Sequence, residues 1–90
     1  RKNRHEGTYA IQVGSFDKKA KAQSEIRALK DLNYDAYLDE SLVKGKQYFR
    51  VRIGPYTNKQ EAEKFLAIVR KIQGLEASYI SEVLGTRSVN

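Results

Sequence analysis

The octets YAIQVGSF (residues 9–16) and FRVRIGPY (residues 49–56) set the fold of this chain, because they repeat one pattern forty positions apart. In each octet, apolar residues alternate with other residues, and a glycine, a turn-forming residue and an aromatic residue follow. Alternation with a period of two predicts a β-strand with one buried face. We expect residues 14–16 and 54–56 to turn the chain where each strand ends.

A helical pattern follows each octet. Apolar residues at helical spacing form one stripe in each half: Ala22, Ile26, Leu29 and Leu32 in the first, and Ala62, Leu66, Val69 and Ile72 in the second. We expect Asp17 to cap the start of the first helix and Asn33 to end it. For the second helix, Thr57 and Asn58 are alternative caps, and Gly74 is the expected end.

Two shorter strands and a hairpin complete the pattern. The segments DAYLDE (residues 35–40) and EASYI (residues 76–80) each follow a helix, and Gly45 supplies a tight turn within residues 42–47. The order strand, helix, strand, strand, helix, strand predicts a ferredoxin-like α+β fold (βαββαβ), in which two helices cover one face of a four-stranded sheet. The two octets become the central strands, which we expect to pair in parallel.

The uncovered face of this sheet is predicted to be polar. The covered face takes the apolar positions of the alternation, which are Tyr9, Ile11, Val13, Ala36, Leu38, Phe49, Val51 and Ile53. The open face presents Gln12, Tyr48, Arg50 and Arg52 on the central strands, and Asp35, Tyr37, Asp39, Ser78 and Ile80 on the edges. A register shift of one residue in the last strand would bury Ser78 and Ile80 and expose Tyr79 instead.

Composition limits the classes of function. The 90 residues suit one domain, the net charge is +6, and the absence of Cys excludes disulfides and cysteine-based metal sites. No apolar run approaches the roughly 18 residues of a membrane-spanning helix. We expect a basic tail at residues 1–7, a domain at 8–81 and a second tail at 82–90. A mildly basic domain favours an anionic partner. Because the chain begins at Arg1 and lacks Met, we expect a piece of a longer parent protein.

The open face suits binding rather than catalysis. The rings of Tyr37 and Tyr48 can stack on sugars or bases, and Arg50 and Arg52 can donate forked hydrogen bonds to carboxylates or phosphates. The single His5 lies in the basic tail, and no motif places a carboxylate or nucleophile beside it. The sequence has no phosphate-binding glycine loop and no His/Cys cluster. We therefore expect no enzyme activity, no metal and no cofactor.

Two other binding functions remain open from the residues alone. An RNA-binding module of similar fold would place aromatic rings on the open face of both central strands. The first strand instead presents Ala10, Gln12 and Gly14 there. A protein-interaction domain that uses a sheet edge or face is the third interpretation.

The paired signatures YAIQVGSF and YFRVRIGPY, the second followed by TNKQEA, closely resemble the SPOR domain over residues 8–80. The resemblance implies the βαββαβ fold and a non-catalytic module that binds bacterial peptidoglycan. It also implies a preference for glycan strands denuded of their stem peptides, which occur at division septa. Such domains usually hang from a parent protein by a flexible linker.

The resemblance implies a set of binding residues, position by position. The glutamine, serine and arginine that contact glycan in the family fall on Gln12, Ser15 and Arg50. An aromatic position that is often Trp in the family is Tyr48 here, which keeps a smaller stacking ring. The geometry of the predicted face adds Arg52 and Tyr37 to this site.

Partners and location follow from the same resemblance. Peptidoglycan glycan strands are the expected partner, nucleic acid is not expected, and the domain is expected to be a monomer. The expected location is the bacterial cell envelope, on the periplasmic or cell-wall side and at the septum. The domain itself is not expected to span a membrane, although its parent protein can be membrane-anchored.

Overall fold

The structure, a computed structural model, describes residues 8–83 and the side chains of residues 8–82. The element order is β1 (Thr8–Phe16), α1 (Lys19–Asp31), β2 (Ala36–Val43), β3 (Lys46–Tyr56), α2 (Lys59–Val69) and β4 (Tyr79–Val83). This order confirms the predicted βαββαβ fold. The tail expected at residues 1–7, with His5, lies outside the described residues. Of the tail expected at residues 82–90, the first two residues belong to β4 and residues 84–90 lie outside the described residues.

The four strands form one sheet in the order β2-β3-β1-β4, so the octet strands are central as predicted. Every neighbouring pair is antiparallel, including β1 with β3. The expectation of a parallel β1–β3 pair is therefore wrong. The crossover through α1 makes β2 run parallel to β1. The hairpin then reverses the chain, so β3 must run antiparallel to β1.

The core lies between the two helices and one face of the sheet. Its largest fully buried side chains are Ile11, Leu29, Val51, Ile53 and Val69. Most of the predicted covered face packs there, with Val13, Leu38 and Phe49 partly buried against the core. Leu32, predicted in the stripe of α1, instead lies at the C-cap and is exposed.

The expected turn at residues 14–16 is instead a continuation of β1. Gln12 pairs with Arg52 and Gly14 pairs with Val51, so β1 advances two residues while β3 advances one. This β-bulge inserts Val13 as an extra residue and reverses the alternation beyond it. Phe16 consequently faces the helices and packs against the core. Residues 54–56 behave similarly, because β3 continues to Tyr56 through an irregularity opposite Ala10.

The hairpin and the helix ends refine the predicted boundaries. Lys44 and Gly45 form the two-residue β2–β3 turn with φ of 52° and 80°, which confirms the turn at Gly45. Asn33 has φ of 70° just after α1, which confirms it as the stop. The expected cap Asp17 is wrong, since Lys18 occupies the N-cap without a side-chain bond.

The second helix has a side-chain N-cap, which the first helix lacks, and it ends earlier than predicted. Asn58 is the N-cap, and its Oδ1 accepts a 2.7 Å hydrogen bond from the backbone N–H of Glu61. The helix ends at Val69 rather than at Gly74. The chain then turns, so that Leu75 is buried in the core before β4 begins.

Candidate functional site

One row of side chains crosses all four strands on the face that the helices leave open. The register places Tyr37 of β2 opposite Arg52 of β3, Arg52 opposite Gln12 of β1, and Gln12 opposite Tyr79 of β4. We call these four residues the transverse row. It brings together three of the predicted site residues and ends in a tyrosine that the predicted site omits.

Arg52 is the fixed centre of the transverse row. Its Nη1 donates to Oδ2 of Asp39 at 2.8 Å, and its Nε lies 3.4 Å from Oε1 of Gln12, a long hydrogen bond. The Arg52 side chain is only 12% exposed, against 39% for Asp39. Gln12 is buried as well. The guanidinium of Arg52 is therefore largely committed to protein partners and orients the amide of Gln12.

Tyr37 at the end of the row keeps its proton well into the alkaline range. Burial raises the pKa of its hydroxyl above the ordinary 10.0, and Asp39 raises it further, while the positive charge of Arg52 acts in the opposite direction. The hydroxyl is therefore neutral at physiological pH. It can both donate and accept a hydrogen bond at the margin of the open face.

A second row lies beside the first and contains Asp39, Arg50 and Ser15. Ser15 lies three positions after Gln12, so an uninterrupted strand would send their side chains to opposite faces. The bulge at Val13 removes this conflict and puts both residues on the open face. The structure thus brings Gln12, Ser15, Arg50 and Arg52 to one surface.

Arg50 differs from Arg52 in having no protein anion. Among the described residues it makes no ion pair, although Asp39 is its cross-strand neighbour. Its Nε is buried and has no hydrogen-bond partner in the structure. Because this nitrogen is buried, a ligand can meet Arg50 only at the terminal nitrogens of its guanidinium. Arg50 is therefore the cation of the face that is available for an anionic ligand.

Tyr48 lies apart from the two rows, near the hairpin. It pairs with Ser41 of β2, beyond Phe49, where the β1–β3 pairing ends. The ammonium of Lys46 lies 5.6 Å from the centroid of the Tyr48 ring, within cation–π range. Tyr48 thus extends the face along β3, with Lys46 as a second positive charge.

Three residues predicted on the open face lie elsewhere. Ser78 is buried before β4, where its hydroxyl donates to the carbonyl of Leu75 at 2.8 Å. Ile80 pairs with the core residue Ile11, so it lies on the helix side. Asp35 precedes β2 and lines a separate cleft beside Tyr56. Strand β4 starts later than predicted, so the alternative register, shifted by one residue, is the correct one. That alternative was the only indication in the sequence that Tyr79 lies on the open face.

A cleft of about 350 Å³ opens between the second half of β1 and the loop before β4. It exists because β4 pairs with β1 only from Thr8 to Gln12, so residues 13–16 have no strand on that side among the described residues. Gln12, Ser15 and Tyr79 line it together with small residues. Tyr79 is 51% exposed, so a stacking ring stands beside two hydrogen-bonding side chains.

Two features of the described residues bear on other functions. No group of three or more His, Cys, Asp or Glu side chains within residues 8–83 is placed to hold a metal ion. None of the helices in that part of the chain is long and apolar enough to cross a membrane.

Comparison with known proteins gives one family and two structural neighbours. The family model described as the SPOR domain matches residues 6–81. "Spor protein DedD" superimposes with a TM-score of 0.67 at 22% identity, covering 89% of this chain and 41% of that one. The peptidoglycan binding domain of the B. subtilis cell wall lytic enzyme CwlC gives 0.65 at 23% identity, covering 96% and 99%. At these identities the likeness concerns the fold. None of the curated proteins matches the sequence.

Proposed function

The chain belongs to the SPOR domain family, and from this membership and the chemistry of its open face we propose that it binds peptidoglycan glycan strands. SPOR domains are non-catalytic binding modules. The structural neighbour from CwlC is described as a peptidoglycan binding domain, which supports the same ligand for this chain. The site consists of the open-face residues Gln12, Ser15, Tyr37, Tyr48, Arg50 and Arg52, to which we add Tyr79.

The observation that carries the proposal is that Arg50, beside Ser15, forms no ion pair with any described residue. Its guanidinium suits a carboxylate, which it can bind with two parallel hydrogen bonds. Ser15 can donate to or accept from sugar hydroxyl and acetamido groups. Tyr48 and Tyr79 stand on either side of these polar groups and offer flat rings to sugar faces. Arg52 acts mainly by holding Gln12 in place, because Asp39 already neutralises it.

We further propose that the preferred glycan is one denuded of its stem peptides. Removing a stem peptide leaves a free lactyl carboxylate on each N-acetylmuramic acid, whereas an intact strand carries an amide and a bulky peptide there. Arg50 gains a charge-assisted hydrogen bond only with the carboxylate. Selectivity then has two sources, charge and steric bulk. Such a preference would direct the parent protein to the cell wall and to the division septum, where denuded strands occur.

The test is co-sedimentation with purified cell-wall sacculi, before and after treatment with an amidase that strips stem peptides. The Ser15→Ala/Arg50→Ala variant removes a hydroxyl and a positive charge from the open face. The matched control, Ser24→Ala/Lys64→Ala, makes a similar change on the exposed faces of the two helices. We expect binding that increases on stripping, is lost in the first variant and is retained in the second.

Two results would contradict the proposal. The first is equal loss of binding in both variants, which would indicate a general effect of charge. The second is no binding of the folded domain to either preparation of sacculi. A parallel titration with single-stranded RNA examines the alternative of an RNA-binding module. We expect weak binding that Ser15→Ala/Arg50→Ala and its control affect alike, because β1 carries no aromatic ring on the open face.

A further inference from the structure

A second binding surface lies at the edge of the sheet, away from the glycan-binding residues. Strand β2 is the terminal strand in the order β2-β3-β1-β4, so one of its edges has no neighbouring strand among the described residues. Its pairing with β3 runs without interruption from Ala36–Ile53 to Val43–Lys46. An uninterrupted terminal strand of eight residues offers a row of backbone donors and acceptors.

This edge lacks several of the features that prevent strand addition, although Asp39 and Glu40 place two charges at its centre. The sequence AYLDESLV has no proline and no lysine, and its register contains no bulge. Leu42 is 69% exposed and Val43 39% exposed near its end. The other terminal strand, β4, has five residues within the described part of the chain. Strand β2 is therefore the more suitable of the two edges for pairing with another chain.

A groove of about 530 Å³ runs between this edge and helix α1. Ile26 of α1 and Leu38 of β2 provide its apolar part, and both are partly buried. Arg27 and Lys30 of α1 line it as well, and both are exposed. Neither forms an ion pair with any described residue. The groove therefore combines an apolar floor with two uncompensated positive charges.

We propose that an extended acidic segment of a partner protein adds to the edge of β2 as a fifth strand. Its backbone would pair with β2, its apolar side chains would enter the groove at Ile26 and Leu38, and its carboxylates would reach Arg27 and Lys30. Backbone pairing gives such a complex its affinity, and the groove gives it specificity. The partner is thus defined by an extended conformation in which every second residue faces the groove, and these groove-facing positions carry both apolar side chains and carboxylates.

A second copy of this chain fits the edge less well. Directly opposite residues of an antiparallel pair share a face, so two-fold pairing of two β2 strands near their midpoint places Asp39 opposite Asp39 of the other copy, or Glu40 opposite Glu40. Like charges directly opposite each other destabilise a strand pair. A partner strand of different sequence avoids this repulsion, because it can place uncharged residues opposite Asp39 and Glu40.

The test uses the whole 90-residue chain, isotope-labelled for NMR, and three synthetic peptides. The probe is a capped octapeptide with threonine at every second position and with valine and glutamate in turn at the positions between, so that valine and glutamate share the face that meets the groove. The second peptide replaces each glutamate with lysine, and the third keeps glutamate but carries N-methyl groups on alternate residues, which block backbone pairing. We expect only the first peptide to bind, and the amide resonances of residues 36–43 to move most.

Charge-reversal variants then identify the groove. We expect Arg27→Glu/Lys30→Glu to weaken binding of the acidic peptide by about tenfold, as two exposed ion pairs allow. The matched control, Lys64→Glu/Lys71→Glu on and just after α2, should bind the acidic peptide like the unmodified chain. Binding of Arg27→Glu/Lys30→Glu to stripped sacculi should be retained, which separates this surface from the open face.

Each contrary result would overturn the inference. We expect the acidic peptide to bind with a Kd below about 1 mM. If the peptide causes no change in the amide resonances at that concentration, the proposed interaction does not exist. Equal binding of the N-methylated peptide would show that backbone pairing is not involved. Resonance changes centred on β3 or on Arg50 would assign the peptide to the open face instead of the edge.

Discussion

Arg50 and Arg52 are two positions apart on the same strand and the same face, yet the structure gives them different chemistry. Asp39 could accept from either, since it is the cross-strand neighbour of Arg50, but its carboxylate binds Arg52 diagonally at 2.8 Å. Arg50 is left with a buried Nε that lacks a partner. At the scale of single residues, this contact of Asp39 distinguishes Arg52, which orients Gln12, from Arg50, which we propose binds the ligand.

Arg50→Ala should therefore weaken binding to stripped sacculi by about 1 to 3 kcal/mol, the usual contribution of a charge-assisted hydrogen bond. The affinity of Arg50→Lys should lie between those of the unmodified chain and Arg50→Ala, because an ammonium keeps the charge but cannot bind a carboxylate with two parallel hydrogen bonds. Quantitative co-sedimentation over a range of protein concentrations measures both. Lys64→Ala removes an equal charge from α2 and should leave the affinity unchanged. A loss in Lys64→Ala equal to that in Arg50→Ala would argue against a specific contact.

The β1 bulge is the element on which the site depends. It allows Gln12 and Ser15 to share the open face and Phe16 to return to the core. A Cβ at Gly14 would lie 2.9 Å from Cε2 of the Phe16 ring, so an alanine there would force the ring to shift. The φ angle of Gly14 is not positive, so its backbone conformation is open to alanine. Only the contact with the Phe16 ring would therefore disfavour alanine at this position.

Gly14→Ala should lower the free energy of unfolding by about 1 to 3 kcal/mol, as expected for overpacking. In a Phe16→Ala background the ring is absent, so the same substitution should cost less than about 0.5 kcal/mol. Urea denaturation of the four proteins in this cycle measures the difference. Equal costs in the two backgrounds would show that Gly14 is required for a reason other than the Phe16 ring.

The two helices provide a matched pair at their N-termini. Asn58 caps α2 with a 2.7 Å bond to the backbone of Glu61, whereas Lys18 caps α1 without a side-chain bond. Asn58→Ala should cost about 1 kcal/mol of unfolding free energy, and Lys18→Ala should change it by only a few tenths. Thermal or urea unfolding compares the two variants directly. Comparable losses would mean that helix propensity outweighs the cap.

At the scale of the whole molecule, the net charge of +6 and the basic strand β3 predict a salt-dependent interaction with stripped glycan. Raising the monovalent salt from about 0.1 M to about 1 M shortens the screening length from about 10 Å to about 3 Å. Affinity for stripped sacculi should fall over this range. Binding of an uncharged oligomer of N-acetylglucosamine should change little. Parallel salt titrations measure the two, and identical dependence would exclude the lactyl carboxylate as a determinant.

Local patterns in the sequence are sufficient to predict the elements and most of the assignment of residues to the two faces of the sheet. Alternation in the two octets and the apolar stripes that follow them are such patterns, and a side chain's face follows directly from the period of its element. The order of elements then required both helices on one side. For this reason the polar open face, with Arg50, Arg52 and Tyr48, was predictable from the sequence alone.

The features that depend on several strands at once come from the tertiary fold. The bulge at Val13 and the register that exposes Tyr79 both depend on pairing between distant segments, whereas the antiparallel direction of β1 and β3 follows from the order of the elements. The selection of Arg52 by Asp39 depends on a diagonal contact between β2 and β3. The residues that form these contacts lie far apart in the chain. A local pattern in the sequence therefore cannot predict which of the contacts form.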